Sequence, residues 1–213
     1  SFTVHVNDRK ILTAICLQAG FKEEDVASVL ISLDKFDKIG LDGIRKELVE
    51  NGYAEEVVDK YLAIYENLKE SSCGEFCKDV VGEFLDQSVV DAMEEIISCA
   101  KSMVNKNVTI MFDPTLVRGM GYYTGPIFEI TIDGYGFSIA GGGRYDKMIG
   151  KFSGQDVCAS GFSIGFERII TILKDKFEGE MKISDNNLAI LIEKGVSTEK
   201  KMEMFAKAKE LRE

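Results

Sequence analysis

The sequence predicts an α+β fold, with helices first and a mostly antiparallel sheet after them. Three observations carry that expectation. Apolar residues recur at helical spacing through the first half of the chain. From Asn107 onward the apolar runs shorten, fill with Ile, Phe, Thr and Tyr, and are divided by glycine turns. Arginine next to glycine gathers in that second region, which places the chemistry in the sheet.

Taken in order, "SFTVHV" alternates like a strand already under way. "NDRKILTAICLQAG" sets Ile11, Leu12, Ile15 and Ala19 on one helix face, with Gly20 as a stop. "KEEDVASVLISLDKF" repeats the pattern with Val26, Val29, Leu30 and Leu33, and "GLDGIRKELVENG" and "AEEVVDKYLAIYENLKE" continue it. "SVVDAMEEIISCAKSMV" begins at Ser88 with Asp91 three residues on, close to a capping box. Its apolar stripe is Met93, Ile96, Ile97, Ala100 and Val104. "NVTIMFD", "IFEITI" and "YGFSIAGGG" read as strands, and Asp133 to Gly136 as a hairpin turn between two of them. "RYDKMIGKF" is a short helix or turn, and "CASGFSIGFERIITILKDKF" passes from strand to helix near Glu167. After a polar hinge, "KISDNN", the "LAILI" strand and a last helix look like the start of another α/β unit. From the opening at Ser1 and the uncapped final helix, the chain is expected to be a piece of a longer protein.

The 213 residues and a 45% hydrophobic fraction allow a substantial core. No apolar run is long enough to span a membrane, and no N-terminal segment reads as a signal peptide. The five cysteines are an odd number scattered through apolar surroundings, which suits a reducing compartment. A net charge of −10 gives no basic footprint for nucleic acid, so any such contact is local.

Three short stretches stand out. In "LVRGMGYYTGPIFEI", Arg118 offers a fixed charge and a planar fork suited to phosphate or carboxylate oxygens. Glycines beside it let a ligand approach the backbone. Tyr122 and Tyr123 have apolar faces and polar tips; on consecutive strand positions they would face opposite ways, so one of them reaches a given ligand. In "AGGGRYD", Gly141, Gly142 and Gly143 cost a strand its packing and make sense beneath a flat ligand. In "GFSIGFERI", Gly161 and Gly165 leave a slot for something thin such as a purine, with Arg168 able to stack on it or meet a phosphate. Each stretch also reads as plain sheet architecture with surface charges. Together they favour an anionic, planar substrate such as a nucleotide.

Rival motifs fail. The glycines of the first stretch lack the following helix that a dinucleotide fingerprint requires. No GxxxxGK[ST] exists in the chain. Cys73 and Cys77 lack two further ligands at suitable spacing, so no structural metal is expected. His5, the single histidine, is expected at a strand end or on the surface, without a catalytic part.

The three stretches, in that order, resemble histidyl-tRNA synthetase, a class II aminoacyl-tRNA synthetase. The first two resemble its histidine-specific motifs and the third its motif 3, while "NDRKIL" and "SLDKFDKIG" resemble the stretch after motif 2. The resemblance implies a class II antiparallel sheet with flanking helices, plus an α-helical insertion. It implies activation of histidine with ATP to histidyl-adenylate, then transfer to tRNA(His). Arg118 then matches the catalytic arginine that meets the α-phosphate and the histidine carboxylate. Tyr122 and Tyr123 match the histidine pocket, with Tyr123 the imidazole partner. Gly141, Gly142 and Gly143 match the floor beneath the amino acid. Arg168 and Gly165 match the ATP site, and Mg2+ accompanies ATP. A cytoplasmic homodimer is the implied assembly of the full-length parent.

The implied layout gives residues 1–10 to the end of the core segment after motif 2 and 11–88 to the helical insertion. Residues 89–180 hold the core with the histidine-specific motifs and motif 3, and 185–213 begin an anticodon-binding domain. Gly121 stands where most members carry aspartate, and motifs 1 and 2 lie outside the chain, so the piece is expected to be inactive alone. Two other readings stay open. One is the non-catalytic, synthetase-like regulatory subunit of ATP phosphoribosyltransferase. The other is a nucleotide-binding module with a helical interaction domain.

Overall fold

The computed structural model describes residues 1–66, 68, 71–155, 157–177 and 190–210. The hinge "KISDNN" and the first two residues of "LAILI" lie outside that set, and Ile190 to Ile192 are described without a strand. The chain divides into two compact units, Ser1–Ile169 and Ile170–Glu213. Among the described residues no helix is long and apolar enough to cross a membrane.

The first unit is built on a five-stranded sheet of order β2-β1-β3-β4-β5. The strands are β1 (Phe2–Asp8), β2 (Val108–Phe112), β3 (Pro126–Ile132), β4 (Ser138–Arg144) and β5 (Ser160–Ile164). The sheet is antiparallel, as expected, except that β1 runs parallel to β2. The parallel pair has a physical cause. Parallel neighbours need a long crossover, and here the described residues of the connection contain six α-helices: α1 (Arg9–Ala19), α2 (Val26–Leu33), α3 (Phe36–Glu50), α4 (Glu55–Glu66), α5 (Cys73–Val80) and α6 (Gln87–Met103). Periodicity within one element carries no signal of such a distant pairing.

Local chemistry sets the helix ends. Asp8 closes β1 and caps α1 by accepting from the Lys10 amide, and Gly20 ends the helix at φ 108°. Ser72 and Glu75 form a capping box on α5, a helix that the "CGEFC" spacing had not announced. On α6 the cap is Asp86, which accepts from the Ser88 amide, rather than Ser88 itself. Its buried stripe is Val89, Val90, Met93 and Ile97, while Ile96 and Val104 are exposed. The helix starts earlier than expected and presents a rotated face.

One continuous apolar cluster joins these helices to the sheet; Ile11, Leu12, Ile15, Leu30, Ile44, Leu48, Tyr61 and Met93 are fully or nearly fully buried in it. The Asp133–Gly136 turn connects β3 to β4 as expected, with Gly134 at φ 86° and a register shift between Ile130 and Thr131. Then follow α7 (Asp146–Ser153) and α8 (Phe166–Phe177), which crosses into the second unit, where α9 (Thr198–Glu210) lies.

Candidate functional site

Side chains alternate across a strand, so register decides which residues share a face. His5 is paired with Glu129, Glu129 with Gly141, and Gly141 with Ser163. One face therefore carries the row His5, Glu129, Gly141, Ser163, and two residues along it the row Asn7, Ile127, Gly143, Gly161. The candidate site is built on this face.

Each glycine of this face that belongs to β4 or β5 hosts one side chain. A Cβ on Gly141 would lie 2.8 Å from Arg118 Nη1. A Cβ on Gly143 would lie 2.5 Å from the Pro126 carbonyl oxygen and 2.9 Å from the Tyr123 ring, and one on Gly161 would overlap the Tyr145 hydroxyl. Gly142 differs. Its Cβ would point to the other face, into the Gly161 carbonyl and 2.6 Å from Phe162 Cα. Gly141 and Gly143 thus face the candidate site, and both Gly142 and Gly143 serve close strand approach, Gly143 toward Pro126 and Ile127 of β3.

Arg118 belongs to the segment between β2 and β3. Asp113 opens that segment, accepting from the Thr115 amide and hydroxyl, and the Asn7 side chain donates to the Leu116 carbonyl. The guanidinium Nη1 donates to Glu129 at 2.5 Å. Its Nε is buried and without a partner among the described residues. Burial pulls the Arg118 pKa down, but Glu129 and the nearby Tyr123 outweigh it, and the net direction is up. The group is a permanent cation with donor capacity left over.

Tyr122 and Tyr123 do not alternate as strand neighbours. They lie ahead of β3, with Gly121 and Tyr122 in a turn and Tyr123 in irregular backbone, and the two rings sit side by side with centroids 4.6 Å apart. Tyr123 is buried, and Tyr145 closes the cluster at 5.9 Å from Tyr122 and 6.3 Å from Tyr123. Arg168, at the start of α8, donates to the Ser138 carbonyl at 2.5 Å and lies over the Phe137 ring. Arg118, Gly141, Gly165 and Arg168 line one open hollow of about 360 Å³. Arg118 and Arg168 also border a larger cleft of about 770 Å³, which reaches His5, Asp37, Asp113 and Glu129.

His5 is not the strand-end or surface residue that its sequence position suggested. It sits in mid-strand, half-buried, with Nδ1 2.8 Å from Asp113 and Nε2 3.1 Å from Thr131 Oγ1. The Asp113 hydrogen bond raises its pKa against the opposing pull of burial. Of the site-face residues, Glu129 is absent from the sequence reading, while Tyr145 and His5 are named there without a site role. Glu129 had a visible signal, a carboxylate in the middle of the apolar run "IFEITI". Tyr145 had none beyond its position after the glycines.

The family model for histidyl-tRNA synthetase matches residues 1–169. The chain belongs to the histidyl-tRNA synthetase family. It is 43% identical over 176 residues to the histidine–tRNA ligase of Leifsonia xyli, covering 81% of this chain and 41% of that protein. It is 39% identical over 181 residues to the histidine–tRNA ligase of Aeropyrum pernix, covering 79% of the chain and 38% of that protein. The chain thus spans about two fifths of the length of these relatives. The histidyl-tRNA synthetase structure from Nostoc sp. matches 97% of the chain and 56% of its own at 23% identity, with a TM-score of 0.69. A Bacillus halodurans structure described as an ATP phosphoribosyltransferase regulatory subunit/histidyl-tRNA synthetase matches 81% of the chain and 44% of its own at 20% identity, with a TM-score of 0.64. At these identities the two structures speak to the fold alone, and the fold is the class II synthetase-like sheet with flanking helices.

Proposed function

We propose that this chain is the part of a histidine–tRNA ligase that carries the catalytic arginine, the aromatic wall of the histidine pocket and one side of the ATP site. The observation that supports it is Arg118 stretched over the bare backbone of Gly141, with a buried, unpartnered Nε, in the same hollow as Arg168. A fixed cation there stabilises negative charge as it builds on phosphorus oxygens in adenylate formation, and it binds the substrate carboxylate beforehand. Tyr123 takes the imidazole, with Tyr122 and Tyr145 packed beside it. Gly141 and Gly143 belong to the backbone floor beneath the amino acid, with Arg118 and Tyr123 lying on it. Gly165 and Arg168 hold ATP, which brings Mg2+ with it as part of the substrate. The second step passes histidine to the terminal ribose of tRNA(His), in the cytoplasm, with a homodimer as the working assembly. Residues 11–88 form the helical insertion and 185–213 the start of the anticodon-binding domain.

In this reading the 213-residue chain does not catalyse the reaction alone, because motifs 1 and 2 lie outside it. The test is histidine-dependent exchange of pyrophosphate into ATP, measured on the complete gene product and on this chain. Exchange by the complete product should fall on the order of 10²- to 10³-fold in Arg118→Ala, and the chain alone should be silent. A folded complete product without exchange overturns the ligase reading in favour of the regulatory subunit of ATP phosphoribosyltransferase. Binding of that transferase is then the next measurement.

A further inference from the structure

An arginine is a long, flexible cation, and its value at a reacting centre depends on how it is aimed. The stem of Arg118 leaves a connecting segment, not a strand, so the backbone alone does not orient the guanidinium. Glu129 does stand on a strand. It is the register partner of His5 on one side and of Gly141 on the other. Its carboxylate therefore rises in the same row, on the same face, as the guanidinium that lies over Gly141. The bond is made to Nη1, the same nitrogen that a Cβ on Gly141 would strike. His5 does not compete for that carboxylate, because Asp113 and Thr131 take both of its ring nitrogens.

We propose that Glu129 is the positioning residue for Arg118: it pins one terminal nitrogen above Gly141 and so turns the rest of the fork toward the oxyanion of the substrate. The role rests on the reading of Arg118 as the group that meets substrate. Glu129 itself touches no reacting atom. It acts by restricting rotation of the guanidinium, so that an ordered donor faces the position where charge develops.

The first arm of the test uses the 213-residue chain and needs no activity. Nitrogen-15 spectra of the arginine side chains report rotation of each guanidinium, and Arg118→Lys assigns the signal. Rotation of Arg118 is restricted in the unaltered chain, loosened in Glu129→Gln and free in Glu129→Ala, with the backbone amide fingerprint unchanged. Equal restriction in Glu129→Ala and the unaltered chain overturns the proposal. The second arm uses pyrophosphate exchange by the complete gene product. Glu129→Ala lowers kcat on the order of 10²-fold with little change in KM for ATP or histidine. Glu129→Gln, which keeps shape and a hydrogen-bond acceptor, recovers part of the loss. The double variant Arg118→Ala/Glu129→Ala is no slower than Arg118→Ala alone, because Glu129 acts only through Arg118. Additive losses, or a lower melting temperature with unchanged kcat, overturn the proposal and leave Glu129 a structural residue. If the unaltered gene product shows no exchange, the ligase reading fails, and the arginine spectra still decide whether Glu129 holds Arg118.

Discussion

Helices α1–α6 and the face built on β3–β5 bring residues together by opposite means. In the helices, large side chains fill the space: Leu30, Ile44, Leu48 and Tyr61 have almost no exposed surface. Phe21 packs edge-on against both Tyr53 and Tyr61. On the sheet face, space is kept clear by the absence of side chains. Gly141, Gly143 and Gly161 have none, and Arg118, Tyr123 and Tyr145 lie directly on the backbone. The first arrangement maximises buried apolar area and therefore stability. The second gives up packing area to hold a cation and phenols in a set position.

That contrast predicts which substitutions unfold the chain and which only disable it. The largest stability effect is expected in the helices. Leu48→Ala, at a fully buried position, should cost about 3–5 kcal/mol in denaturant unfolding, through lost transfer energy and a residual cavity. It should leave the arginine side-chain spectra of the sheet face unaltered. A cost near 1 kcal/mol or less would show that the helical region is loosely packed.

The two faces of β4 sharpen the comparison. Gly142→Ala drives a methyl into the Gly161 carbonyl and the Phe162 backbone, which have no freedom to move aside. It should cost about 3 kcal/mol in unfolding free energy, at the upper end of overpacking effects. In Gly141→Ala the closest atom met is the end of the Arg118 side chain, with the Phe128 carbonyl at 3.0 Å. Its stability loss should be about 1 kcal/mol, while exchange by the complete product drops as it does when Arg118 is removed. Equal stability losses from the two neighbours would break the assignment of faces.

A smaller stability effect than at Gly142 is expected at His5, which ties β1 to the end of β2 and to β3. His5→Ala should cost about 2 kcal/mol near pH 6, the scale of a charge-assisted hydrogen bond. The direction with pH follows from the raised imidazole pKa. Folding favours the protonated form, so that increment is fully present below the ordinary imidazole value of about 6.5 and fades as pH rises through the higher folded value. At the acid end, Asp113 sets the other limit. Burial pushes its carboxyl up, but the hydrogen bonds from His5 and Thr115 win, and its pKa is lowered. Its increment is lost as pH falls through that lowered value. Urea unfolding across this range should show the gap between His5→Ala and the unaltered chain narrow at alkaline pH. A gap that widens there would reverse the assignment.

By itself, the sequence determined the α+β class, the helix-then-sheet order and the stretches that hold Arg118, Tyr123, Gly141 and Arg168. These are consequences of local spacing: apolar residues at helical period, β-rich runs cut by glycine, and arginine beside bare backbone. Local spacing also placed the Asp133–Gly136 turn, because a positive φ at Gly134 is a demand on one residue. Tertiary structure alone decided what depends on which strands become neighbours. It set β1 parallel to β2 across the six described α-helices. It set Gly142 against the Gly161 carbonyl and the Phe162 backbone, and it seated Tyr145 among Tyr122 and Tyr123. It placed Glu129 beside His5 and beneath Arg118, though Glu129 and His5 are 124 positions apart (129 − 5) in the chain. Register between strands is fixed by long-range pairing and burial on a shared core, and a one-dimensional pattern holds no record of which distant residue will stand across the ladder.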